Sequence, residues 1–330
     1  VLHPALQRMV AKATHAEHVK PDEVIQSLWG GYGEIIRLKL SSCELDSVIL
    51  KHVKPPSSVH HPRGWHSDAS HARKLKSYAV EMHWYEHWSE HCDNSCRVPK
   101  SYLTTTHDNE FIILLEDLDA SGFSIRKEHI EIENMKQCLH WLAHFHATFL
   151  KEDPKGLWRC GGYWHLDTRA DELEGIQYKV LQQAAASLDH ALKGARYQTI
   201  IHGDAKLANF CFADDDDGQS VAAVDFQYVG GGCGMKDVAY FLGSCLDDAQ
   251  CETYIPKLLD VYFEYLRQTI DRSGNQVNSH ALEAEWRDLF PIAWTDFYRF
   301  LDGWMPSHWK INNYTRRLAA EVLKTSPCIS

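Results

Sequence analysis

The segment His202-Gly203-Asp204-Ala205-Lys206-Leu207-Ala208-Asn209 follows an apolar run, Thr199-Ile200-Ile201, and so lies in the loop at a strand's end. Its pattern, His202-x-Asp204-x-Lys206-x-x-Asn209, suits phosphoryl transfer. That reaction needs a carboxylate near the attacking hydroxyl, ligands for a metal ion and cations over the phosphates. Asp204 would accept or orient the hydroxyl proton, and Lys206 would neutralise charge on the phosphoryl group. Asn209 offers an amide oxygen to Mg²⁺, a hard cation that prefers oxygen ligands. Taken alone, Asp204 and Asn209 could be turn residues. A second apolar run ends in Asp225-Phe226, sixteen residues past Asn209. A hairpin between the two would bring Asp225 beside Asn209 as a second Mg²⁺ ligand. Two motifs in this order and context point to chemistry more strongly than either alone.

The elements that must hold these residues are legible from periodicity. Residues 4–19 are predicted as a short amphipathic helix. Residues 25–40, with Gly30-Gly31-Tyr32-Gly33 inside, read as strand, glycine turn, strand. Residues 46–53 read as a third strand, ending at Pro55-Pro56. A polar loop rich in His, Ser and Pro covers 55–67. A helix is predicted over 70–91, with Leu75, Tyr78, Ala79, Met82 and Tyr85 at helical spacing. Strands follow at 101–106 and 111–115, then helices at 128–150 and 168–192. Short strands are expected at 198–201, 210–212 and 221–226, and helices from Asp237 onward. The run Asp214-Asp215-Asp216-Asp217-Gly218 lies between two strands and reads as an exposed hairpin turn rather than a metal site. A strand-rich part thus precedes a helix-rich part, with the boundary near 117–121. The expected fold class is α+β, with one lobe at 1–118 and a second at 119–330.

On these residues the chain resembles the aminoglycoside phosphotransferase/choline kinase superfamily, and within it the choline-kinase-like and ecdysteroid-kinase-like branch. The resemblance rests on Leu115-Glu116-Asp117-Leu118, His202-Gly203-Asp204, Val224-Asp225-Phe226-Gln227 and Asp237-Val238-Ala239-Tyr240-Phe241-Leu242. It runs from about Trp29 to the C-terminal helices. It implies a protein-kinase-like fold with a small β-rich N-lobe and a larger helical C-lobe. It also implies ATP- and Mg²⁺-dependent transfer of the γ-phosphate to a hydroxyl of a small choline-, aminoglycoside- or sterol-like alcohol. Lys51 would grip the nucleotide's phosphates, and Glu81, on the following helix, would pair with it. A lysine on a buried side needs a fixed carboxylate to hold its charge and direction. Gly31 and Gly33 would belong to a glycine-rich turn over the phosphates, although the spacing departs from the six-residue protein-kinase pattern. Glu116, Asp117 and Leu118 would form the hinge whose backbone binds adenine. Asp237 would tie the catalytic loop to the next helix, and His146 would be a packing or hydrogen-bonding residue near that loop. The glycines at 230–234 suggest a flexible segment.

Two other classes compete. A pseudokinase would bind nucleotide and regulate a partner, but Lys51, Glu81, Asp204, Lys206, Asn209 and Asp225 supply every polar position that catalysis asks for. A protein kinase is disfavoured by Gly203, by Gln227 and by the lack of an Ala-Pro-Glu segment.

Bulk properties narrow the rest. The chain has 330 residues, 44% hydrophobic and 24% charged, which is an ordinary globular balance. A net charge of -11 argues against a nucleic-acid partner. The 10 cysteines include no C-x-x-C pair, as expected of reduced thiols in a cytoplasmic protein. No run of 18 apolar residues predicts a membrane span, and the first residues carry no secretory pattern. The expected partner is a small hydroxyl-bearing molecule.

Three clusters are set aside. His140, His144 and His146 share a helix at spacings that can bind zinc, but no metalloprotease-type Glu accompanies them. His87, His91, Cys92 and Cys96 fall at a helix end. Trp294, Asp296, Phe297, Tyr298, Asp302 and Trp304 could line a pocket for a cationic acceptor, but aromatics at helical spacing are more often core.

Overall fold

The computed structural model describes residues 2–55, 68–214, 220–274 and 276–325. The predicted polar loop lies outside these residues beyond Pro55, as does the acidic turn beyond Asp214.

Alternation along the strands builds the N-terminal sheet. Strands β1 (His18–Ser27), β2 (Gly33–Ser41), β3 (Ser47–Val53), β4 (Ser101–His107) and β5 (Glu110–Glu116) are joined antiparallel in the order β1-β2-β3-β5-β4. Successive side chains leave a strand on opposite faces. On one face Ile36, Leu38, Val48, Leu50, Ile112 and Leu114 pack with Leu6 and Val10 of helix α1 (Pro4–Thr14). The other face carries Ile35, Arg37, Ile49 and Lys51, with Ile35 opposite Lys51 and Lys51 opposite Ile113. Helix α2 (Asp68–His87) brings Glu81 to that second face.

The predicted helix at 4–19 ends early, and the first strand begins before residue 25. His15 turns left-handed at φ 57°, with its N–H donating to Ala11 O, and β1 starts at His18. Sequence alternation misses residues 18–24 of this strand because the strand buries almost nothing: Val19 alone along its length is buried. Val24 and Ile25 stay exposed, and the pairing with β2 shifts register twice, after Pro21 and after Val24.

The rest of the chain is mostly helical. Helices are α3 (Ile132–Thr148), α4 (Ala170–Gly175), α5 (Lys179–Lys193), α6 (Met235–Cys245), α7 (Asp248–Ser273), α8 (Ser279–Trp304) and α9 (Asn313–Thr325). The helix predicted at 168–192 is therefore two. Gly175 lies against the Gly303 backbone, where a Cβ would come within 2.9 Å of Gly303 O. The Asp302 carboxylate accepts the N–H groups of Gln177 and Tyr178 at 2.8 and 2.9 Å, which starts α5 afresh.

Two short antiparallel pairs carry the loops of interest: β6 (Thr199–Ile201) with β9 (Gly230–Gly232), and β7 (Phe210–Phe212) with β8 (Val221–Ala223). The glycines at 230–232 are thus part of a strand, not the flexible segment expected. A Cβ at Gly230 would lie 2.2 Å from Trp158 O, and one at Gly231 2.7 Å from Arg159 O. Close backbone approach, not mobility, requires glycine there. The core runs from α2 through α3 to the helices behind the loops, with Trp84 stacked on Phe226 at 4.6 Å. No helix of the described residues is long and apolar enough to cross a membrane.

Candidate active site

The loop after β6 is fixed by buried polar groups. His202 donates from Nε2 to Val224 O at 3.0 Å and accepts the Asp204 N–H at Nδ1, 3.2 Å away. One ring thereby ties the loop to the strand that carries Asp225. Gly203 takes φ 80°, and a Cβ there would stand 2.0 Å from Tyr228 O. Asp237, near the start of α6, accepts the N–H groups of His202 at 2.6 Å and Gly203 at 2.9 Å. Its Oδ2 also accepts from His146 Nε2 at 3.1 Å, and His146 Nδ1 bonds the Tyr262 hydroxyl at 2.7 Å. Burial opposes the Asp237 charge, but these donors outweigh it and hold its pKa below the ordinary value.

Asp204 is buried within this frame. Lys206 Nζ donates to Asp204 Oδ2 at 3.0 Å, and Asn209 Nδ2 donates to Asp204 O at 2.8 Å and to Oδ2 at 3.2 Å. Burial raises the Asp204 pKa; Lys206 pulls against it and Asp225 adds to it. A raised value suits a group that must take a proton near neutral pH. Val224 N–H donates to Asn209 O at 3.0 Å, so the β7–β8 hairpin lays Asp225 next to Asn209. The strand predicted to 226 stops at Ala223, because Asp225 adopts φ 69°. That unusual backbone lets its carboxylate meet Gln227 Nε2 at 2.7 Å and Lys51 Nζ at 3.3 Å. Burial would raise the Asp225 pKa, but Lys51, Lys206 and Gln227 bring it down to about 2.

Lys51 Nζ lies 2.6 Å from Glu81 Oε2, with both side chains almost wholly buried. Burial pushes the Glu81 pKa up against the pull of Lys51. The same burial would lower Lys51, but Glu81 and Asp225 together raise it. A cavity of about 330 Å³ opens beside this group. Lys51, Glu81, Glu116, Asp117, Leu118, Asn209 and Asp225 all line it, with Ile35, Ile49 and Val224 as apolar walls. The side chains of Glu116 and Asp117 are engaged elsewhere. Glu116 accepts the Lys100 N–H at 2.9 Å, and Asp117 accepts from Arg37 Nε and Ser47 Oγ, each at 2.7 Å. Part of the backbone is engaged as well: Glu116 N–H donates to Lys100 O at 2.8 Å, and Asp117 O and Leu118 O both accept the Ser121 N–H at 3.1 Å.

Gly31 and Gly33 do not line this cavity. They line a second one, of about 510 Å³, with Leu2, Leu6, Glu34 and Ile36 on the other face of the sheet. Gly33 has a reason of its own: at φ 131°, a Cβ would stand 2.0 Å from His52 O across the β2–β3 pairing.

Several residues near Asp204 carry no sequence signal. Tyr163 N–H donates to Gly203 O at 2.9 Å, and the Tyr240 ring lies 6.2 Å from the Tyr163 ring. Arg169 and Lys310 lie over the neighbouring rings. Tyr240 falls inside a motif quoted for the resemblance, but Arg169 and Lys310 come from irregular segments with no pattern. Among the aromatic and acidic residues of α8, most serve packing. Trp294 Nε1 donates to Thr315 at 3.0 Å, Asp296 accepts from Arg299 at 2.8 Å, and Asp302 caps α5. Among the described residues no group of three or more His, Cys, Asp or Glu is arranged to hold a metal ion. Burial instead lowers the His140 pKa to about 4, with His144 adding to it.

Asp225 and Asn209 offer a carboxylate and an amide oxygen, both hard donors that suit Mg²⁺. The Asn209 Nδ2 is spent on Asp204, and Asp225 is ionised at any physiological pH. The donor set fits the ion, and the cavity beside Lys51 suits the phosphates of a nucleotide.

The ecdysteroid kinase-like family matches this chain over residues 42–155 and 161–275, more than half its length. Among solved structures, choline kinase LicA from Streptococcus pneumoniae is 12% identical, with a TM-score of 0.48 over 97% of this chain and 96% of that one. A microcompartment-associated aminopropanol kinase is 14% identical, with a TM-score of 0.47 over 97% of this chain and 94% of that one. An aminoglycoside-3'-phosphotransferase of type VIII is 14% identical, with a TM-score of 0.47 over 88% of this chain and all of that one. No curated protein sequence matches. The ecdysteroid-kinase-like branch expected from the motifs agrees with the family match, and the α+β class expected from them agrees with the sheet and helices described above.

Proposed function

This chain belongs to the ecdysteroid kinase-like family, and we propose that it is an ATP- and Mg²⁺-dependent kinase that phosphorylates a hydroxyl of a small molecule. Residues 1–118 act as the nucleotide-binding lobe and 119–330 as the catalytic and substrate-binding lobe. The observation that carries the reading is a pair of polar clusters tied together by the bond from Val224 N–H to Asn209 O. Glu81 and Asp225 share Lys51, Asn209 touches Asp204, and Lys206 pairs with Asp204.

The roles follow from those clusters. Lys51, held by Glu81, binds nucleotide phosphates. The backbone of Glu116 to Leu118 meets the base, as the side chains of Glu116 and Asp117 are engaged with Arg97, Lys100, Arg37 and Ser47. Asn209 and Asp225 would hold Mg²⁺, which when bound offsets the charge of the phosphates. Asp204 accepts the acceptor hydroxyl's proton, and Lys206 balances negative charge as the phosphoryl group moves. Such proton transfer contributes about 10²–10⁴-fold. The nine cysteines of the described residues are free, which supports a reducing, cytoplasmic setting. The net charge of -11 weighs against a nucleic-acid partner.

Thermal-shift titrations with Mg²⁺ and ATP, run beside ATP-consumption assays on a panel of alcohols, test the reading. At about 100-fold over Kd, ATP should stabilise the fold by roughly 2.7 kcal/mol. Asp225→Ala should lose the Mg²⁺-dependent part of the shift. Asp204→Asn should keep the shift and lose most turnover. Full turnover in Asp204→Asn would refute its role, and no shift with any nucleotide would turn the reading to a regulatory binding module.

A further inference from the structure

Two tyrosine rings in the neighbourhood of Asp204, those of Tyr163 and Tyr240, already carry cations of the protein's own. Tyr163 is held to the catalytic loop by its bond to Gly203, and the Tyr240 ring lies 6.2 Å from the Tyr163 ring. Tyr163 packs on Phe300 at 5.0 Å between ring centres, and Tyr240 on Phe297 at 4.8 Å. Such faces, with a free carboxylate near them, are what binds a quaternary ammonium or an amine. Here the Arg169 guanidinium lies 4.8 Å from the Tyr163 ring and 5.2 Å from Phe300. The Lys310 ammonium lies 5.1 Å from Tyr240 and 5.5 Å from Phe297.

The two cations differ in how they are held. Arg169 is fixed by Tyr163 O at 2.6 Å and Glu172 at 3.1 Å. Lys310 has no carboxylate at ion-pair distance among the described residues, and burial lowers its pKa to about 8 against the pull of Cys245 and Asp204. The α8 carboxylates that would draw in a cation are spent on Arg299 and on the start of α5.

We infer that Lys310, with Arg169 beside it, is a specificity-determining residue that keeps positively charged acceptors away from Asp204. The cation that would come with a charged substrate is supplied here by the enzyme. The acceptor is then an alcohol whose reactive end bears no positive charge. This rests on the kinase reading in one respect, that Asp204 faces the acceptor.

Choline and its neutral isostere 3,3-dimethylbutan-1-ol, titrated against the full chain and followed by ligand-observed NMR with and without Mg²⁺ and ATP, test the inference. Wild type should favour the isostere. Lys310→Ala should gain about tenfold or more in choline affinity, as the Tyr240 face opens and the repulsion goes. Lys310→Arg should keep the exclusion, and Lys310→Gln stands in if the alanine variant does not fold. Wild type preferring choline, or no gain in choline affinity on removing the Lys310 charge, overturns the inference whether or not the isostere binds. The nucleotide response in the same samples reports the kinase reading separately.

Discussion

Replacing Asp237 by Asn should destabilise the fold by about 3–5 kcal/mol, and the figure follows from its bonds. Oδ1 accepts from Gly203 N–H, while Oδ2 accepts from His202 N–H and His146 Nε2. An amide has one oxygen. If it keeps the Oδ2 bonds, its NH₂ group turns toward the Gly203 N–H and leaves a buried donor unsatisfied, at about 1–3 kcal/mol. The two bonds that remain lose their charge and weaken by about 1 kcal/mol each. Against a typical total stability of about 5–15 kcal/mol this is a large fraction. Urea unfolding should show a lower midpoint with an unchanged slope, and Asp237→Ala should lose more, because all three donors are orphaned. The pH dependence has a definite sign. Asp237 has a depressed pKa when folded, so its stabilisation is complete above the unfolded-state value and is lost as pH falls through the folded one. The Asn variant should lack that part of the acid-induced loss. A destabilisation below about 1 kcal/mol would refute the account of this bond network.

Two further substitutions separate binding from folding. Glu81→Gln leaves Lys51 with Asp225 and a weaker partner on α2, so ATP affinity should fall by about tenfold and stability by about 2–4 kcal/mol; unchanged affinity by calorimetry would remove Glu81 from the site. Gly33→Ala forces a Cβ against His52 O at a strained φ and should cost about 2 kcal/mol or more of stability in urea. Its ATP affinity should be spared, since Gly33 does not line the cavity at Lys51. Lost affinity at full stability would return the glycine turn to the phosphates.

Much of the site was legible in the sequence, because its parts are local motifs joined by short connections. Asp204, Lys206 and Asn209 lie on one loop, and a single hairpin brings Asp225 to them. What was not legible depends on distant packing. Asp225 ends its strand early through a left-handed backbone that no apolar run announces. Arg169 and Lys310 lie outside the regular elements of the folded chain, over rings that distant segments supply. The break between α4 and α5 depends on Gly303 and Asp302, far along the chain. Residues 18–24 of strand β1 escaped because one buried side chain in ten residues leaves no alternation to read.

The same strand bears on how the protein behaves in concentrated solution. β1 is an outermost strand of its sheet, and an outermost strand offers unspent hydrogen-bonding groups to any other chain that comes alongside. Val24 and Ile25, exposed there, would favour such self-association. Pro21 cannot donate a hydrogen bond, the two register shifts bend the ribbon, and Lys20, Asp22 and Glu23 charge its exposed length. An approaching copy meets a kinked and charged border rather than a straight template. The bulges, proline and charges of β1 thus guard the sheet against edge-to-edge association.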